Sequence, residues 1–501
     1  MQSRFLCAFM VCAISFSASF LFSVTQLSAA CIQADDFRTW KDSTGKFSIK
    51  AQLIQNANGT VTLKKENGDE IDLPMNKLSA ADRRFLAKMS RNDNTSDSNV
   101  STNTDVTDWP TWRGTDRTGV SKETGLMQKW PESGPPLKWT VDGIGGGYSS
   151  VSVADGKIFT LSQMDGGQKI VCISTDGKVK WKTPISKNGE PNCTPTIDDG
   201  LVYAIGRHGT LAAVKAENGE KVWSVDFASD FGGKMMSQWG FSESPLIDGE
   251  KLICTPGGPT AMIVALNKKT GKLIWKTPMR EGGSKGQDGA GYSSVVIGNM
   301  GGVKQYITLV GRGVISVDAA TGRPLWQYEK VANGTANVPT PIVSGNYVFC
   351  SSGYGDGGSA LLQIQKKGRN FSAREVYHYE PREVQNHHGG MVLIDGFIYM
   401  GHGHNKGLPM CLEMRTGKIK WGGKIRGEGD GSAAIVAADG QIYFRYEDGK
   451  MALVEANPVS YKVNGSFTLP SRNGKSWPHP VISDGRLYIR DQHQLHCFDI
   501  K

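Results

Sequence analysis

Ala265–Trp275 reads ALNKKTGKLIW: a small residue, a polar turn ending in Thr270-Gly271, and a large aromatic. The same pattern returns as AVKAENGEKVW (Ala213–Trp223), SVDAATGRPLW (Ser316–Trp326) and CLEMRTGKIKW (Cys411–Trp421), and one residue shorter as CISTDGKVKW (Cys172–Trp181). Successive Trp residues of neighbouring units lie about 42 to 52 positions apart, a period that marks a repeat architecture. The runs on either side of the turn alternate apolar and polar residues, so they read as strands, and the turn makes a hairpin. Glycine supplies the positive φ such a turn needs at no steric cost. Trp181, Trp223, Trp275, Trp326 and Trp421 are therefore expected to be structural plugs that one four-stranded sheet presents to the next.

Eight inner-strand starts can be counted, at Gly147, Asn192, Ser242, Gly291, Asn337, His388, Gly431 and Pro478. Most run straight into a D-G turn and a second strand, as in VADGKIFTL and IDGFIYMG. The last unit has room for only three strands before Lys501, and the lone strand LKWTV (Leu137–Val141) can supply the fourth. Pairing the first strand with the last sheet closes a ring and removes free edges. The expectation is an all-β fold: a closed eight-bladed β-propeller over 109–501. A seven-bladed ring is the rival, because the fifth and seventh units lack the Trp. In the fifth, Tyr377 or Tyr379 is expected in its place.

The preceding sequence divides into three parts. Residues 1–30 read as a signal peptide: Arg4, an apolar run Phe5–Val24, and the small-residue site Ser28-Ala29-Ala30. The apolar run is long enough to stay as an anchor, and Cys31 raises a lipoprotein reading that Ser28 fits badly. Either way the chain is expected to be exported, to the periplasm or beyond. Residues 36–89 read as a small barrel-like unit, with Phe47, Ile49, Ala51 and Leu53 alternating along one strand, an Asn58-Gly59 turn, and a short helix opening at Ser79 with Asp82 three residues on. Phe85, Leu86 and Met89 give that helix its apolar face. Residues 90–108, rich in Ser, Thr, Asn and Asp, read as a disordered linker. The net charge of +9 over 501 residues is spread without a basic block, so no nucleic-acid partner is expected. Cys31, Cys172, Cys193, Cys254, Cys350, Cys411 and Cys497 are an odd set without disulfide or haem spacing, and most read as small strand residues.

Two resemblances stand on these residues. FRTWKDSTGKFSIKAQLI followed by LPMNKLSAADRRFL is similar to SLA1 homology domain 1, an SH3-like barrel, which implies a protein-interaction module. The Ala…Thr-Gly…Trp repeats, with WPTWRGTDRTGVSKETG before them, resemble the bacterial PQQ-like β-propeller family of quinoprotein dehydrogenases and an outer-membrane assembly lipoprotein. That resemblance implies pyrroloquinoline quinone (PQQ) with Ca²⁺ for dehydrogenase members, and a protein-binding scaffold for the other. The chain has no adjacent Cys-Cys pair and no alignable set of Ca²⁺ ligands with an Asp base, so no catalytic residue, metal or cofactor is assigned.

The reading favours an exported protein-binding scaffold. A PQQ-dependent alcohol or sugar dehydrogenase is the alternative, and a carbohydrate-binding propeller a second. Candidate binding residues are those just before the inner strands, which converge on the axis: Tyr148, Gln238, Trp239, Tyr292, Asn337, His387, His388, Asp430, Trp477 and His479. Aromatics with polar groups there could hold a flat ring or a sugar. His402 and His404, two apart on a strand, could join His387 or His388 on a metal, but GHGHNKG reads as a strand running into a loop.

Overall fold

The computed structural model describes residues 37–42, 47–57, 60–79, 82, 86, 107–279 and 283–501. The expected signal peptide, Cys31, the Asn58-Gly59 turn, Phe85, Met89 and nearly all of the 90–108 linker lie outside them. The chain divides into two units, before and after Ser101/Thr102.

The first unit is an antiparallel meander of four strands in sequential order, Arg38–Lys41, Ser48–Ala57, Thr60–Lys65 and Glu70–Pro74. Trp40, Ala51, Leu53, Val61 and Leu63 bury on one face with Leu78 and Leu86. Phe47 differs from the expected alternation: it is 74% exposed, ahead of the strand Ser48–Ala57, with its carbonyl accepting from Asp42 N. Buried Asp82 ties the unit together. It accepts from Ser79 Oγ (2.7 Å), Lys41 N (2.8 Å) and Arg38 Nη2 (2.5 Å), while its own N–H donates to Ser79 Oγ.

The second unit contains eight four-stranded antiparallel sheets, here blades 1 to 8. In order they span 152–187, 196–226, 246–277, 296–328, 342–379, 386–422, 433–468 and 481–499, the last completed by Leu137–Val141. That closing strand pairs His496 with Thr140 and Cys497 with Trp139. Arg490 reinforces the seam between blades 8 and 1. Fully buried, it donates to Ser149 O, Thr160 Oγ1, Leu161 O, Gly145 O and Ser162 Oγ.

The repeat motif has one geometry throughout. Each small residue pairs with its Trp across the outer two strands, and a bulge follows at once: Ala213↔Trp223, Ala265↔Trp275, Ser316↔Trp326, Cys411↔Trp421 and Cys172↔Trp181. Trp139 holds this position in blade 8 and Tyr377, opposite Leu361, in blade 5. The glycine of the turn lies on the ring of the preceding blade. A Cβ on Gly219, Gly271, Gly322 or Gly417 would stand 2.4–3.1 Å from Trp181, Trp223, Trp275 or Tyr377. The turn therefore needs glycine twice, for positive φ and for the closeness of the ring. Ring polar groups reach the next blade: Trp223 Nε1 donates to Lys268 O, Trp421 Nε1 to Asn457 O, Trp139 Nε1 to Thr175 O, and Tyr377 Oη to Met414 O.

Most inner strands are shorter than expected, that of blade 1 being only Ser152–Ala154, whereas that of blade 6, Asn386–Ile394, is longer. The residues before them converge too tightly for a sheet ladder, and side-chain hydroxyls replace it. The N–H groups of Ser150, Thr194, Ser244 and Ser294 donate to the hydroxyls of Thr194, Ser244, Ser294 and Thr340 in turn, each one blade further round. Every such buried N–H needs a partner, which accounts for the Ser/Thr-rich GYSS, NCTP and SESP segments.

The segment before the ring threads its centre. Trp109 and Val153 exchange both backbone hydrogen bonds, Pro110 O accepts from Ile197 N, and Gly119 O accepts from Ala437 N. Arg117, buried, donates to Ser244 O and Val295 O, and buried Arg113 donates to Thr118 O and Met391 O. Residues 109–121 thus touch inner strands around the ring and form a plug. The α-helix Phe227–Phe231 has five residues, and no helix among the described residues is long and apolar enough to cross a membrane.

Candidate functional site

The plug turns the channel into a cup. A cavity of about 410 Å³ opens on its far side, with Trp112 and Arg113 as part of its floor. Of the ten expected residues, Tyr148, Trp239, Tyr292, His387, His388, Trp477 and His479 line it. Three do not. Asn337 is buried and structural: its Nδ2 donates to Val310 O and Gly311 O, and its Oδ1 accepts from Asn333 N. Gln238 is exposed, and its carbonyl accepts from Arg207. Asp430 is exposed on the surface and pairs with Arg426 at 3.1 Å. All three stand beside an inner strand, yet position before a strand does not fix which way a loop side chain turns.

Both His387 and His388 reach the cavity because of an irregular strand. Neighbours on a regular strand face opposite sides. In Asn386–Ile394 the pairing jumps from Asn386↔His402 to Met391↔Met400, so 387–390 loop out of register. Asn386 Nδ2 secures the loop by donating to Gly390 O and Gly401 O, both at 3.1 Å. The rings form a continuous wall: Tyr148 to Trp477 at 4.6 Å between centroids, Trp477 to His388 at 5.0 Å, His388 to His387 at 3.8 Å, and His387 to His404 at 4.3 Å. Tyr354 packs against both His387 and His404, and Trp112 meets His479 at 4.5 Å. Trp239 stands 43% exposed, and its carbonyl is held by Asn192 Nδ2.

The imidazoles of His387, His388 and His479 are kept neutral. Burial, and then the neighbouring His404, lowers His387 to about 3. Burial, with Arg113 beside it, lowers His479 to about 3. His388 is lowered well below its ordinary value by burial and the surrounding histidines. Burial and then Glu190 push the Tyr148 hydroxyl up to about 12. Arg113, Arg207, Lys475 and Glu190 also line the cavity. Sequence reading missed these and Trp112; only the Trp-rich segment before the ring hinted that it packs inside. His402 and His404 do not act together: His402 Nδ1 accepts from Gln385 N, whereas His404 lines the cavity.

Fold and cavity define a β-propeller of PQQ-like repeats with a plugged axial channel and an aromatic, histidine-rich cup. The chain belongs to the family described as outer membrane protein assembly factor BamB (PQQ_2), which it matches over residues 124–232 and 189–423, more than half its length. Its first unit matches SLA1 homology domain 1 over residues 30–94. It is similar to BamB of Burkholderia pseudomallei, 28% identical over 214 residues, 40% of this chain and 51% of the relative. It is also similar to the dehydrogenase subunit of the quinone alcohol dehydrogenase of Gluconacetobacter polyoxogenes, 29% identical over 169 residues, 31% of this chain and 22% of the relative. The chain thus spans about half the length, or less, of these curated relatives. Among solved structures it resembles BamB from Moraxella catarrhalis (TM-score 0.51, 14% identity, 73% of this chain and 97% of that one). It also resembles a europium-containing methanol dehydrogenase (TM-score 0.59, 12% identity, 77% and 89%). These identities speak for the fold.

The residues present do not fit a quinone–calcium centre. Ca²⁺ takes six to eight oxygen ligands. Among the described residues the one close group of three His, Cys, Asp or Glu side chains is His387, His388 and Glu447, two nitrogens and one carboxylate, and Glu190 is the one carboxylate lining the cavity.

Proposed function

We propose that this protein is an exported cell-envelope scaffold that binds proteins through its propeller, with the SLA1 homology unit as a second protein-interaction module. The observation that carries this reading is the family match across 124–423, to proteins described as outer membrane protein assembly factors, on a chain that also carries a match to SLA1 homology domain 1. The mismatch between the cup and a calcium-dependent quinone supports it, since the dehydrogenase relatives share the same repeat. The ring of eight four-stranded sheets offers broad faces and leaves only short outer strand edges, which suits lasting contact with a partner. A periplasmic location is supported by the relatives' description as outer membrane protein assembly factors and by the signal-like sequence of residues 1–30.

The test is photo-crosslinking in the producing cell, with the crosslinker placed separately in each unit. The expected result is discrete adducts with envelope proteins, including outer-membrane assembly components, formed from the propeller. Absence of adducts from both units, together with substrate-dependent dye reduction by the PQQ-loaded protein, would replace the scaffold with the oxidoreductase reading. That second reading keeps one supporting observation: the ring wall with Arg113, Arg207 and Lys475 suits a flat anionic molecule.

A further inference from the structure

His387, His388 and Glu447 come from blades 6 and 7, and their ligand atoms lie within 4.8 Å of one another. The out-of-register loop delivers the two histidines, and the tip of the hairpin between Gln441–Tyr446 and Lys450–Glu455 delivers the carboxylate. They are not bonded to each other. His388 Nε2 stands 4.0 Å from Glu447 Oε1, beyond a hydrogen bond. His387 Nδ1 meets Ser432 Oγ at 2.6 Å, so a proton on Nδ1 can be donated to that hydroxyl and the Nε2 lone pair is left free. That Nε2 is buried without a protein partner, on a side chain whose residue is only 5% exposed. Glu447 is oriented from behind: its Oε1 accepts from Trp477 Nε1 at 2.9 Å, and its Oε2 lies 3.5 Å from Lys475 Nζ. A fixed tautomer, a held carboxylate and an unused buried nitrogen are what outer partners provide around a metal ligand set.

We propose that His387, His388 and Glu447 form a site for a divalent transition-metal ion of the Zn²⁺ class in the wall of the cup. Two neutral imidazoles with one carboxylate suit a borderline ion such as Zn²⁺ and disfavour Ca²⁺ or Mg²⁺. Ligand bonds of about 2.0–2.2 Å place donors of a tetrahedral ion about 3.4 Å apart, so side-chain adjustments of about 1 Å gather the three. Three protein ligands leave a coordination position toward the cavity, for water or for an oxygen or nitrogen donor of whatever enters the cup. The Lys475 ammonium sits close to the same carboxylate and moderates its pull on the ion. This site goes beyond the scaffold reading and stands or falls apart from it.

The test titrates Zn²⁺ alone into the full-length, chelator-stripped protein. One equivalent should bind with a micromolar or lower Kd and resist about 1 mM Ca²⁺. His388→Gln and Glu447→Gln should each weaken binding about 10- to 100-fold, while H208Q, whose ring bonds Asn188 O outside the cup, should leave it unchanged. Co²⁺ should give visible d–d absorption bleached by Zn²⁺, and X-ray absorption of the unmodified Zn²⁺ protein should show two imidazoles, a readout that needs no variant. No saturable binding at about 100 µM Zn²⁺, displacement by Ca²⁺, fewer than two imidazoles on the ion, or an affinity indifferent to both substitutions would overturn the site.

Discussion

Trp130 stands over Gly465: a Cβ on that glycine would lie 2.6 Å from Trp130 Cβ, and Trp130 N donates to Asn464 O at 3.0 Å. Gly465 occupies in blade 7 the position that Trp holds elsewhere, opposite Leu453 and before the same bulge. The missing plug arrives from the segment ahead of the ring. Its ring meets Tyr443 at 5.6 Å and Phe467 at 5.2 Å. In other blades the resident Trp meets its own aromatic in the same way, as Tyr203–Trp223 and Tyr399–Trp421 do.

Trp130→Ala should therefore behave as a core truncation, although Trp130 lies outside every repeat. It is 3% exposed, and such a change costs about 3–5 kcal/mol. Gly465→Leu should be comparably damaging, since φ is +149° and the space is filled. Denaturant midpoints at constant m-value check both. A Trp130→Ala variant as stable as the parent would remove the plug reading.

Tyr377 holds the docking position of blade 5, with its hydroxyl donating to Met414 O at 2.7 Å. Tyr377→Phe should lose about 1 kcal/mol, the usual worth of one such bond. Tyr377→Ala should lose about 3 kcal/mol or more by leaving Gly417 without the ring it lies on. Tyr379, the other expected candidate, pairs with Ser359 two positions along the ladder, on the side away from the bulge, and Tyr379→Ala should be the milder change.

Glu243 is buried at the plug, and burial raises its carboxyl to about 7 even though Thr255 N donates to it and Arg117 lies near. The folded state therefore holds this proton more tightly than the unfolded chain does. Its contribution favours folding at low pH and is lost as pH rises from about 4.5 toward 7. Glu243→Gln should leave Tm little changed at about pH 5 and raise it by a few degrees at about pH 8. Calorimetric scans across that range check the sign.

Cys172, Cys193, Cys254, Cys350, Cys411 and Cys497 are all free and buried. Burial pushes Cys172 and Cys497 up to about 11 and Cys193 and Cys411 up to about 12. Thiolate is the reactive form. These six should resist alkylation in the native protein at neutral pH and react together on unfolding, which mass spectrometry with iodoacetamide reads directly. Rapid native labelling at any of them would contradict the small-strand-residue role.

Seven of the ten residues expected before inner strands line the cavity, and the three that do not share a cause. Aromatic and histidine residues before inner strands, such as Tyr148, Tyr292, His387 and Trp477, do line the cavity. Asn337 and Asp430 occupy equivalent positions and do not, because loop orientation depends on hydrogen bonds to residues such as Asn333 and Asp448. Glu447 lay on a hairpin tip that no periodicity marks, and Trp112 and Arg113 entered the cup only because their segment runs through the ring.

The sequence by itself determined the repeat, its strands, the turn glycines and the closing strand at Leu137–Val141, because hairpins and alternation are local and repeat with a fixed period, while the count of eight over seven came from the sheets themselves. Tertiary structure alone decided where single, non-repeating segments go. It sent residues 109–121 down the axis, set Trp130 on Gly465, and brought ligand atoms of His387, His388 and Glu447 from two blades within 4.8 Å of one another. Those placements depend on which buried surface and which unpaired backbone groups the closed ring leaves over, and that exists only once all eight sheets have met.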